Sequence, residues 1–462
     1  MIPIFKEVYS LDKACYDKGL NEYILMENAA RGMYEEIKSR EIKSICIISG
    51  AGNNGADGIA LARMLLGEYD VNLFLPMGVK SQMAKFQFEV YKNYGGKYSE
   101  FTPTDVDKKY DCYVDAIFGS GLKRDLDNKI NNIIKALNKR EGFKLSCDIP
   151  TGLDEDGNSK GEIFRADITV TMGAIKVALL SDFAKDFVGK IKKVDLGISF
   201  KKYTKKTNYY LLQKEDLILP IRTKSNTHKG SFGHIGVLVG EKNGAGIISA
   251  LAALNFGAGL VTCITREKLH IPYELMQNDI IDDRFNTLVF GMGMGNFFDD
   301  EIEKICNLDI KKVIDADMFY KQEILNCLDK EVVLTPHPKE FASLLKLTGF
   351  GEYSINDIQK NRFNLSLKFT KKYPKVVLLL KGANTIISYK GQLYINPLGT
   401  QALSKGGSGD VLAGMIGSLI AQGYHILKAT ISASLAHSLA GDVKPNYSLT
   451  PIKLINNLER II

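Results

Sequence analysis

The chain has 462 residues, of which 45% are hydrophobic and 24% charged, and its formal net charge is +7. This length exceeds one ordinary domain and predicts about two or three. The lysines are spread along the chain, which argues against a nucleic-acid platform, although mild basicity suits anionic small-molecule substrates.

The cysteines and the absence of targeting signals indicate where the protein works. Seven cysteines are scattered without a CxxC pair, and several lie in apolar, strand-like runs. This pattern predicts buried free thiols in a reducing compartment. The first residues lack the basic start and apolar core of a signal peptide, and no apolar run approaches the length of a membrane span. We therefore expect a cytoplasmic protein that does not bind membranes.

The first half alternates between helical and strand-like patterns. Residues 24–37 predict a core-facing helix because four apolar side chains recur at helical spacing, namely Met26, Ala30, Met33 and Ile37. Further elements are predicted along the chain, with strands at 44–49, 71–75, 111–119 and 143–152 and helices at 59–67 and 128–139. Apolar strands that alternate with helices form a parallel sheet covered on both faces, so we predict an α/β domain.

Polar residues follow these strands, where ligands gather in parallel sheets. The glycine-rich stretch 50–58 is predicted to be a loop between strand and helix, suited to phosphate or pyrophosphate. It departs from the GxGxxG pattern by carrying two asparagines and Asp57. Asp115 and Asp148 end two further strands. Three carboxylates facing a glycine loop are typical of a binding site, and the alternative is that two of them only form turns.

This half resembles the NAD(P)H-hydrate epimerase domain in four motifs that occur in the same order: MENAA, GAGNNGADG, DAIFGSGL and CDIPTGLD. That domain is the N-terminal half of bifunctional nicotinamide-nucleotide repair enzymes. The resemblance covers about residues 5–200 and implies a Rossmann-like, three-layer α/β/α domain. It also implies interconversion of the R and S epimers of NADHX and NADPHX at the hydrated carbon.

The resemblance further implies which residues act. Asp148 is implied to be catalytic, in contact with the substrate near the reacting carbon. A potassium ion is implied to bind Asn54, Asp115 and Thr151, since a hard cation takes oxygen donors. The other residues implied to hold NADHX or NADPHX are Asn53, Asn54, Gly55, Ala56, Asp57, Gly119, Ser120, Gly121, Leu122, Lys123, Arg124 and Asp125.

Two positions depart from the epimerase pattern. Ala56 stands where the family usually has a glycine, which matters if the position needs a positive φ. Thr151 stands where the family usually has a serine, and threonine keeps the hydroxyl group. We expect both departures to be compatible with activity.

The periodic pattern breaks at residues 200–209, FKKYTKKTNY, which are basic and lack an apolar face. We predict a linker there, between domains at residues 1–204 and 212–462. The second half again predicts strands, at 234–240, 259–265, 287–291, 311–317, 331–338 and 376–380, with a helix at 245–256. A hairpin is predicted to turn at Lys390 and Gly391. Two helices are predicted to close the chain, the second carrying His437 in an apolar setting typical of a packed core histidine.

Four segments of the second half follow predicted strands or precede a helix. FGMGMG, at 290–295, is a glycine-rich strand end. TPHPKE, at 335–340, holds His337 between two prolines that make the loop rigid. KGANT, at 381–385, offers a cation and small residues to nucleotide phosphate and ribose. GGSGD, at 406–410, precedes a helix with backbone N–H groups and a helix dipole that favour an anion.

Asp410 is unusual beside such an anion cradle, because a carboxylate repels phosphate. It is either a base that acts on the group being phosphorylated or an N-capping residue after an ordinary glycine turn. A glycine cradle with an aspartate at a helix start, behind a parallel sheet, resembles ribokinase-like small-molecule kinases.

A more specific resemblance covers about residues 212–462 and is to the ADP-dependent NAD(P)H-hydrate dehydratase domain, which is ribokinase-like. It rests on seven ordered motifs: KGSFGHIGVLVG, LAALNFGAGLV, GMGMG, VIDAD, LTPHPKEFASLL, LLLKGAN and GGSGDVLAGMIGSLIAQG. Two motifs depart from the family. VIDADMFY lacks the usual small residue and asparagine, so we expect altered packing near the nucleotide without loss of function. GMGMG lacks the usual proline, which loosens that loop slightly.

This resemblance implies that dehydration is driven by phosphorylation. Hydroxide leaves poorly, so ADP phosphorylates the hydroxyl of the S hydrate, and the ring nitrogen then expels phosphate to give NADH, AMP and phosphate. Asp410 is implied to take the hydroxyl proton while the amides of residues 406–409 stabilise the transferring phosphate. Magnesium is expected with the nucleotide. The nucleotide is implied to contact Lys381, Gly382, Ala383, Asn384, Thr385 and Gly409, and the hydrated cofactor Ala245, Gly293, His337 and Asp410.

The fusion has a chemical rationale, since the dehydratase accepts only the S epimer and the epimerase supplies it from the R epimer. Two alternatives stay open at this point. One is a ribokinase-like vitamin or sugar kinase, and the other is a binding scaffold of the kind found in RNA-decapping complexes, against which Asn54, Asp115 and Asp148 argue. ADP and ATP both stay open as donors, and the bacterial-type fusion favours ADP. We also expect a homo-oligomer that binds no nucleic acid.

Overall fold

The structure is a computed structural model that describes residues 1–101 and 108–461. The chain divides into two compact units, Pro3–Thr207 and Asn208–Ile462, and its first two residues group with the second unit. The first strand, β1 (Ile2–Pro3), is accordingly an edge strand of the second unit's sheet.

The first unit contains a seven-stranded sheet in which neighbouring strands are parallel. Its strands are β2 (Ser44–Ser49), β3 (Asp70–Phe74), β4 (Tyr98–Ser99), β5 (Cys112–Ala116), β6 (Phe143–Cys147), β7 (Ile168–Met172) and β8 (Lys190–Val194). Their order across the sheet is β4-β3-β2-β5-β6-β7-β8. The direction of winding therefore reverses between β2 and β5, and open α/β sheets bind ligands at such a point.

Helices cover both faces of this sheet. They are α1 (Tyr9–Tyr16), α2 (Glu22–Lys38), α3 (Asn53–Leu65), α4 (Gln82–Asn93), α5 (Asn128–Asn138) and α6 (Phe200–Tyr203). Successive residues of β2 point to opposite faces, so Ile45 and Ile47 pack with α2 and α3, whereas Cys46 and Ile48 pack with α5. This three-layer α/β/α arrangement confirms the predicted Rossmann-like fold class.

The second unit contains an eleven-stranded sheet. Its other strands are β9 (Tyr209–Leu211), β10 (His234–Leu238), β11 (Leu260–Ile264), β12 (Met276–Asn278), β13 (Thr287–Phe290), β14 (Lys311–Ile314), β15 (Val332–Leu334), β16 (Val376–Leu380), β17 (Thr385–Tyr389) and β18 (Gln392–Asn396). The order is β1-β9-β18-β17-β16-β15-β14-β13-β10-β11-β12. Strands β10 to β16 are parallel, so their carboxyl ends lie along one edge.

Strands β17 and β18 form the predicted antiparallel hairpin. Its two turn residues, Lys390 and Gly391, have positive φ angles of 48° and 70°. Two consecutive residues in this region match the right-handed twist of the flanking strands, which explains why the dipeptide turns there. The prediction of this hairpin from sequence is therefore confirmed.

The helices of the second unit are α7 (Asn243–Asn255), α8 (Ile302–Asn307), α9 (Pro338–Leu347), α10 (Ile355–Lys372), α11 (Ser408–Ala421), α12 (Ile426–Ala440) and α13 (Pro451–Asn457). Helix α11 is buried along its whole length beyond Asp410. A helix that is apolar all round belongs in the interior of a domain. It lies so close to α7 that a Cβ added at Gly414 would be 2.0 Å from the Ser249 carbonyl oxygen.

Short 3₁₀ helices complete the described secondary structure, at Val177–Leu180, Ala184–Asp186, Lys214–Asp216, Lys229–Phe232, Ala316–Tyr320, Gln322–Cys327, Gln401–Leu403, Asn446–Ser448 and Leu458–Arg460. The segment predicted as a linker is more ordered than its composition indicated. It contains α6, whose Tyr203 side chain is buried, and it also contains the start of β9.

All seven cysteines are buried and free, as the sequence predicted. Across the described ranges, each helix is too short or too polar to cross a lipid bilayer.

Candidate active sites

A cavity of about 390 Å³ opens in the first unit at the carboxyl ends of its central strands, where the winding reverses. Its wall consists of Val8, Asp12, Ala51, Gly52, Asn53, Asn54, Asp57, Met77, Ile117, Phe118, Gly119, Ser120, Gly121, Leu122, Asp148, Met172 and Lys176. The fold therefore brings together most of the residues that the sequence predicted to hold the substrate. The others do not line it: Gly55 and Ala56 are buried, whereas Lys123, Arg124 and Asp125 are exposed.

The stretch predicted as a loop at 50–58 is mostly helix, because α3 begins at Asn53 with Gly52 as its N-cap. Its glycines permit close approach of backbone segments. A Cβ at Gly50 would lie 2.0 Å from the Ile117 carbonyl oxygen, and one at Gly55 would lie 1.8 Å from the Gly50 carbonyl oxygen. Ala56 is helical and donates its N–H to the Gly52 carbonyl at 3.1 Å, so its methyl group meets no conformational obstacle.

Asp148 presents its two carboxylate oxygens to different surroundings. Oδ1 accepts hydrogen bonds from the Lys176 ammonium, from the Met172 N–H at 3.1 Å and from the Thr171 hydroxyl at 3.3 Å. Oδ2 lies on the side of Gly119, another residue that lines the cavity, 3.4 Å from the position of a Cβ at Gly119. The backbone of Asp148 has a φ of 68°, in the left-handed region that costs a non-glycine residue about 1–3 kcal/mol.

Two further carboxylates line the cavity near this pair. Burial raises the pKa of Asp57 well above its ordinary value, and the negative charge of Asp148 raises it further. Burial also raises the pKa of Asp12, whose Oδ1 accepts a hydrogen bond from the Tyr203 hydroxyl at 2.7 Å. Sequence reasoning did not identify Asp12 or Tyr203, because they lie about 190 residues apart and no local motif joins them.

Asp115 and Thr151 lie behind the cavity wall, and both are fully buried. The Asp115 carboxylate accepts hydrogen bonds from the Thr151 N–H and hydroxyl, each at 2.7 Å, and from the Ile117 N–H at 3.2 Å. Burial raises the pKa of Asp115 to about 6 in spite of these hydrogen bonds. Asn54 lies closer to the cavity, with Oδ1 2.9 Å from a Cβ position at Gly119.

The second unit gathers its polar groups where β14, β16 and the start of α11 meet. Lys381 follows β16, and its Nζ pairs with Asp315 Oδ1 at 2.7 Å at the end of β14. A Cβ at Gly409 would lie 3.3 Å from Lys381 Nζ and 3.5 Å from Asp315 Oδ2. Asp315 was not predicted as a site residue, although the VIDAD motif at a strand end was a signal for it.

Asp410 stands in the first turn of α11, which begins at Ser408, three residues earlier than predicted. Gly407 is the N-cap and has a φ of 87°, a conformation that glycine adopts without strain. Burial and the negative charge of Asp315 together raise the pKa of Asp410 to about 6, and the positive charge of Lys381 opposes both effects. Asp410 is therefore ionised at neutral pH and still close enough to its pKa to exchange protons.

His337 has a structural role that the sequence did not predict. It is the N-cap of α9, where Nδ1 accepts the Glu340 N–H at 3.1 Å and the Glu340 carboxylate accepts the His337 N–H at 2.7 Å. This reciprocal capping box explains a histidine before Pro338 without any ligand. Burial lowers the pKa of His337 and raises that of Glu340 to about 7.

The remaining predicted residues of the second unit divide between surface and interior. A Cβ at Gly293, which has a φ of 55°, would lie 3.3 Å from Ala245 Cβ, so these two are neighbours. Gly382 and Ala383 are exposed, Lys381 and Thr385 are half-buried, and Asn384 is buried. His437 is a core histidine as predicted, and its Nε2 lies 2.9 Å from the Ser408 carbonyl oxygen under the helix start.

The chain matches two family profiles, one in each unit. The profile described as YjeF-related protein N-terminus matches residues 22–178, and the one described as NAD(P)H-hydrate dehydratase matches residues 235–462. Two curated relatives are both named bifunctional NAD(P)H-hydrate repair enzyme. The one from Helicobacter pylori is 42% identical over 471 residues and covers 100% of both chains. The one from Dictyoglomus turgidum is 31% identical and covers 92% of this chain and 90% of its own.

A solved structure of an ADP/ATP-dependent NAD(P)H-hydrate dehydratase from Bacillus subtilis, co-crystallised with ATP and Mg²⁺, is 25% identical to this chain. The similarity covers 55% of this chain and 98% of that one, with a TM-score of 0.47.

Proposed function

Because the chain belongs to the family of bifunctional NAD(P)H-hydrate repair enzymes, we propose that its two units carry one activity of that family each. The first unit epimerises R- and S-NAD(P)HX in the cavity beside β2 and β5. The second unit dehydrates S-NAD(P)HX to NAD(P)H at the start of α11. One observation supports one activity per unit. Each unit has its own carboxylate, Asp148 or Asp410, at the carboxyl edge of its own parallel sheet.

In the second unit, Asp410 takes the proton from the substrate hydroxyl as that oxygen attacks the terminal phosphate of the nucleotide. The backbone amides at the helix start, including that of Gly409, bind the phosphate oxygens, and the Lys381 ammonium lies 3.3 Å from the Cβ position at Gly409. The phosphorylated carbon then loses phosphate as the ring nitrogen supplies an electron pair, and the neighbouring ring carbon releases a proton, which forms the C=C bond of the dihydronicotinamide. The products are NAD(P)H, phosphate and the shortened nucleotide.

The nucleotide is proposed to contact residues 381–385 and Gly409, and the hydrated cofactor Ala245, Gly293 and His337. We propose ADP as the donor and magnesium as its counterion. Among the described residues no group of three or more His, Cys, Asp or Glu is placed to hold a metal. This fits magnesium, which is usually bound by substrate phosphates with only one or two carboxylates. Asp315, whose Oδ2 faces Gly409, is the carboxylate proposed to assist.

Potassium is proposed to bind in the first unit through oxygen atoms of Asn54, Asp115 and Thr151. The donor set suits a hard cation, since it consists of amide, carboxylate and hydroxyl oxygens. The Thr151 hydroxyl and Asp115 Oδ1 are already adjacent, at 2.7 Å. The buried Nδ2 of Asn54 lacks a hydrogen-bond partner among the described residues. We expect KCl, but not LiCl at equal ionic strength, to raise the free energy of unfolding of the first unit. This measurement tests the site.

The combined activity is tested with an R/S mixture of NADHX, magnesium, potassium and either ADP or ATP. NADH absorbance and free phosphate are recorded together. Full conversion with one phosphate per NADH is expected, with the faster nucleotide identifying the donor. Conversion that stops at the S fraction would refute the epimerase proposal. A phosphorylated product without NADH would instead indicate the small-molecule kinase.

Self-association stays a prediction and is tested by light scattering of the purified chain.

A further inference from the structure

The most unusual buried group in the first unit is the ammonium of Lys176, whose side chain is 0% exposed to solvent. Its Nζ donates to Asp148 Oδ1, to the Thr171 hydroxyl at 3.1 Å and to the Met172 carbonyl at 2.9 Å. All three donor positions of the ammonium are therefore occupied by protein oxygens. None of them is left for a substrate.

A buried ion pair of this kind is poorly explained by stability alone. Desolvation of two charges offsets most of their attraction, and well-packed apolar residues of similar volume are often as stable. Asp148 also has a φ of 68°, which is a strained backbone conformation for a residue other than glycine. Strain of this kind concentrates at functional sites, and this pair lies in the cavity wall.

The electrostatic surroundings explain why a cation is needed at this position. Three carboxylates, those of Asp12, Asp57 and Asp148, line the same cavity. The positive charge of Lys176 lowers the pKa of Asp12 and of Asp57, whereas the negative charge of Asp148 raises the pKa of both. Tyr203 adds a hydroxyl that donates to Asp12. Lys176 is the one lysine among the described residues of this wall, so its removal would leave the repulsion between the three carboxylates unopposed.

We propose that Lys176 is a positioning residue for epimerisation, which fixes Asp148 by its Oδ1 atom and presents only Oδ2 to the hydrated nicotinamide ring. The inference rests on the proposed epimerase function of this unit. Lys176 itself does not touch the substrate. By occupying one carboxylate oxygen together with the Met172 N–H, it leaves the Asp148 side chain a single orientation.

The test compares Lys176→Met and Lys176→Ala in the full-length protein. Displacement of a reacting group by about 1 Å costs about 100-fold in rate, so we expect kcat for epimerisation to fall about 100-fold with KM nearly unchanged. Dehydration of pure S-NADHX by the second unit provides an internal measure of folded enzyme. The matched control is Lys192→Met, which removes another lysine ion pair of the same unit, with Glu36, and should leave epimerisation unchanged.

Chemical rescue separates positioning from folding. Lys176→Ala leaves a lysine-shaped space in the cavity wall. Because n-butylammonium supplies the missing ammonium, it should raise the kcat of this variant at least about tenfold. Tetramethylammonium, which cannot donate hydrogen bonds, should not. The inference is overturned if Lys176→Met epimerises at the wild-type rate, if butylammonium has no effect on the alanine variant, or if both variants unfold the first unit. If the unaltered protein shows no epimerisation, the proposed function itself fails instead.

Discussion

Two aspartates do different work because their surroundings differ. Asp148 is held by the ammonium of Lys176 and keeps one oxygen for the cavity. Asp410 has a different arrangement, since the nearby Lys381 pairs with Asp315. Burial therefore keeps the pKa of Asp410 raised, to about 6, so that it is ionised at neutral pH and can accept and later release a proton.

Replacement of Asp410 by asparagine separates activity from stability. We expect kcat for dehydration to fall by about 10³-fold, because the hydroxyl loses its base. The raised pKa means that ionised Asp410 is less stable in the folded chain than in the unfolded one, so the asparagine variant should gain up to about 3 kcal/mol in unfolding free energy at neutral pH. Kinetics with pure S-NADHX and urea unfolding measure the two effects. Asp442→Asn, at an exposed position, is the control, and a variant that keeps full activity contradicts the role of Asp410.

The pH dependence of dehydration follows from the same carboxylate. Burial and Asp315 raise the pKa of Asp410 to about 6, and only the ionised form can accept the hydroxyl proton. We expect kcat/KM for S-NADHX to be constant above about pH 7 and to fall about tenfold per pH unit below about 6. Saturating magnesium keeps the nucleotide phosphates ionised over this range. A profile that stays flat to pH 5, with the enzyme still folded, would exclude this assignment.

The secondary-structure elements show where sequence patterns are sufficient. Strand β2 was predicted with its observed bounds, because a short run of buried β-branched residues has few alternatives. The start of α3 was predicted six residues late, because Asn53, Gly55 and Asp57 favour loops. Tertiary contacts override that preference, because Gly50 and Gly55 allow neighbouring backbone segments to approach closely.

The candidate site was predictable only where a residue directly follows a strand or starts a helix. Asp148 directly follows β6, Asp115 lies next to the last residue of β5 and Asp410 lies in the first turn of α11, so their positions follow from the parallel sheets. Lys176 is 28 residues from its partner and lies in an apolar stretch, so no local pattern joins it to Asp148. The capping role of His337 depends on side-chain geometry that the chain order does not specify.

The start of α11 offers a matched pair of glycine substitutions. A Cβ at Gly409 would lie 3.3 Å from the Lys381 ammonium, whereas one at Gly406 would meet nothing within 4 Å. We expect Gly409→Ala to raise KM for the nucleotide about tenfold, because the methyl group occupies the phosphate cradle. Gly406→Ala should change it little. Initial rates at varied ADP check both, and equal effects of the two substitutions would contradict the placement of the cradle.

The division of the molecule into two units predicts that the two activities are separable. Asp148→Asn should abolish epimerisation and leave dehydration of pure S-NADHX intact, and Asp410→Asn should do the reverse. A mixture of the two variant proteins should convert an R/S mixture of NADHX completely, because the epimer can diffuse from one protein to the other. NADH recovery and chiral chromatography of the remaining hydrate measure this. Loss of both activities in either single variant would contradict separate sites.

The first residues of the chain have a practical importance for anyone who divides the gene. Ile2 lies at the outer edge of the eleven-stranded sheet, next to β9, and the Met1 amino group pairs with Asp216. A fragment that begins at Asn208 would lose this cover and expose the backbone N–H and C=O groups of β9. Bare strands of that kind recruit other chains and aggregate. Expressing the dehydratase half alone is therefore expected to need those few N-terminal residues, supplied as a peptide or by a permuted chain.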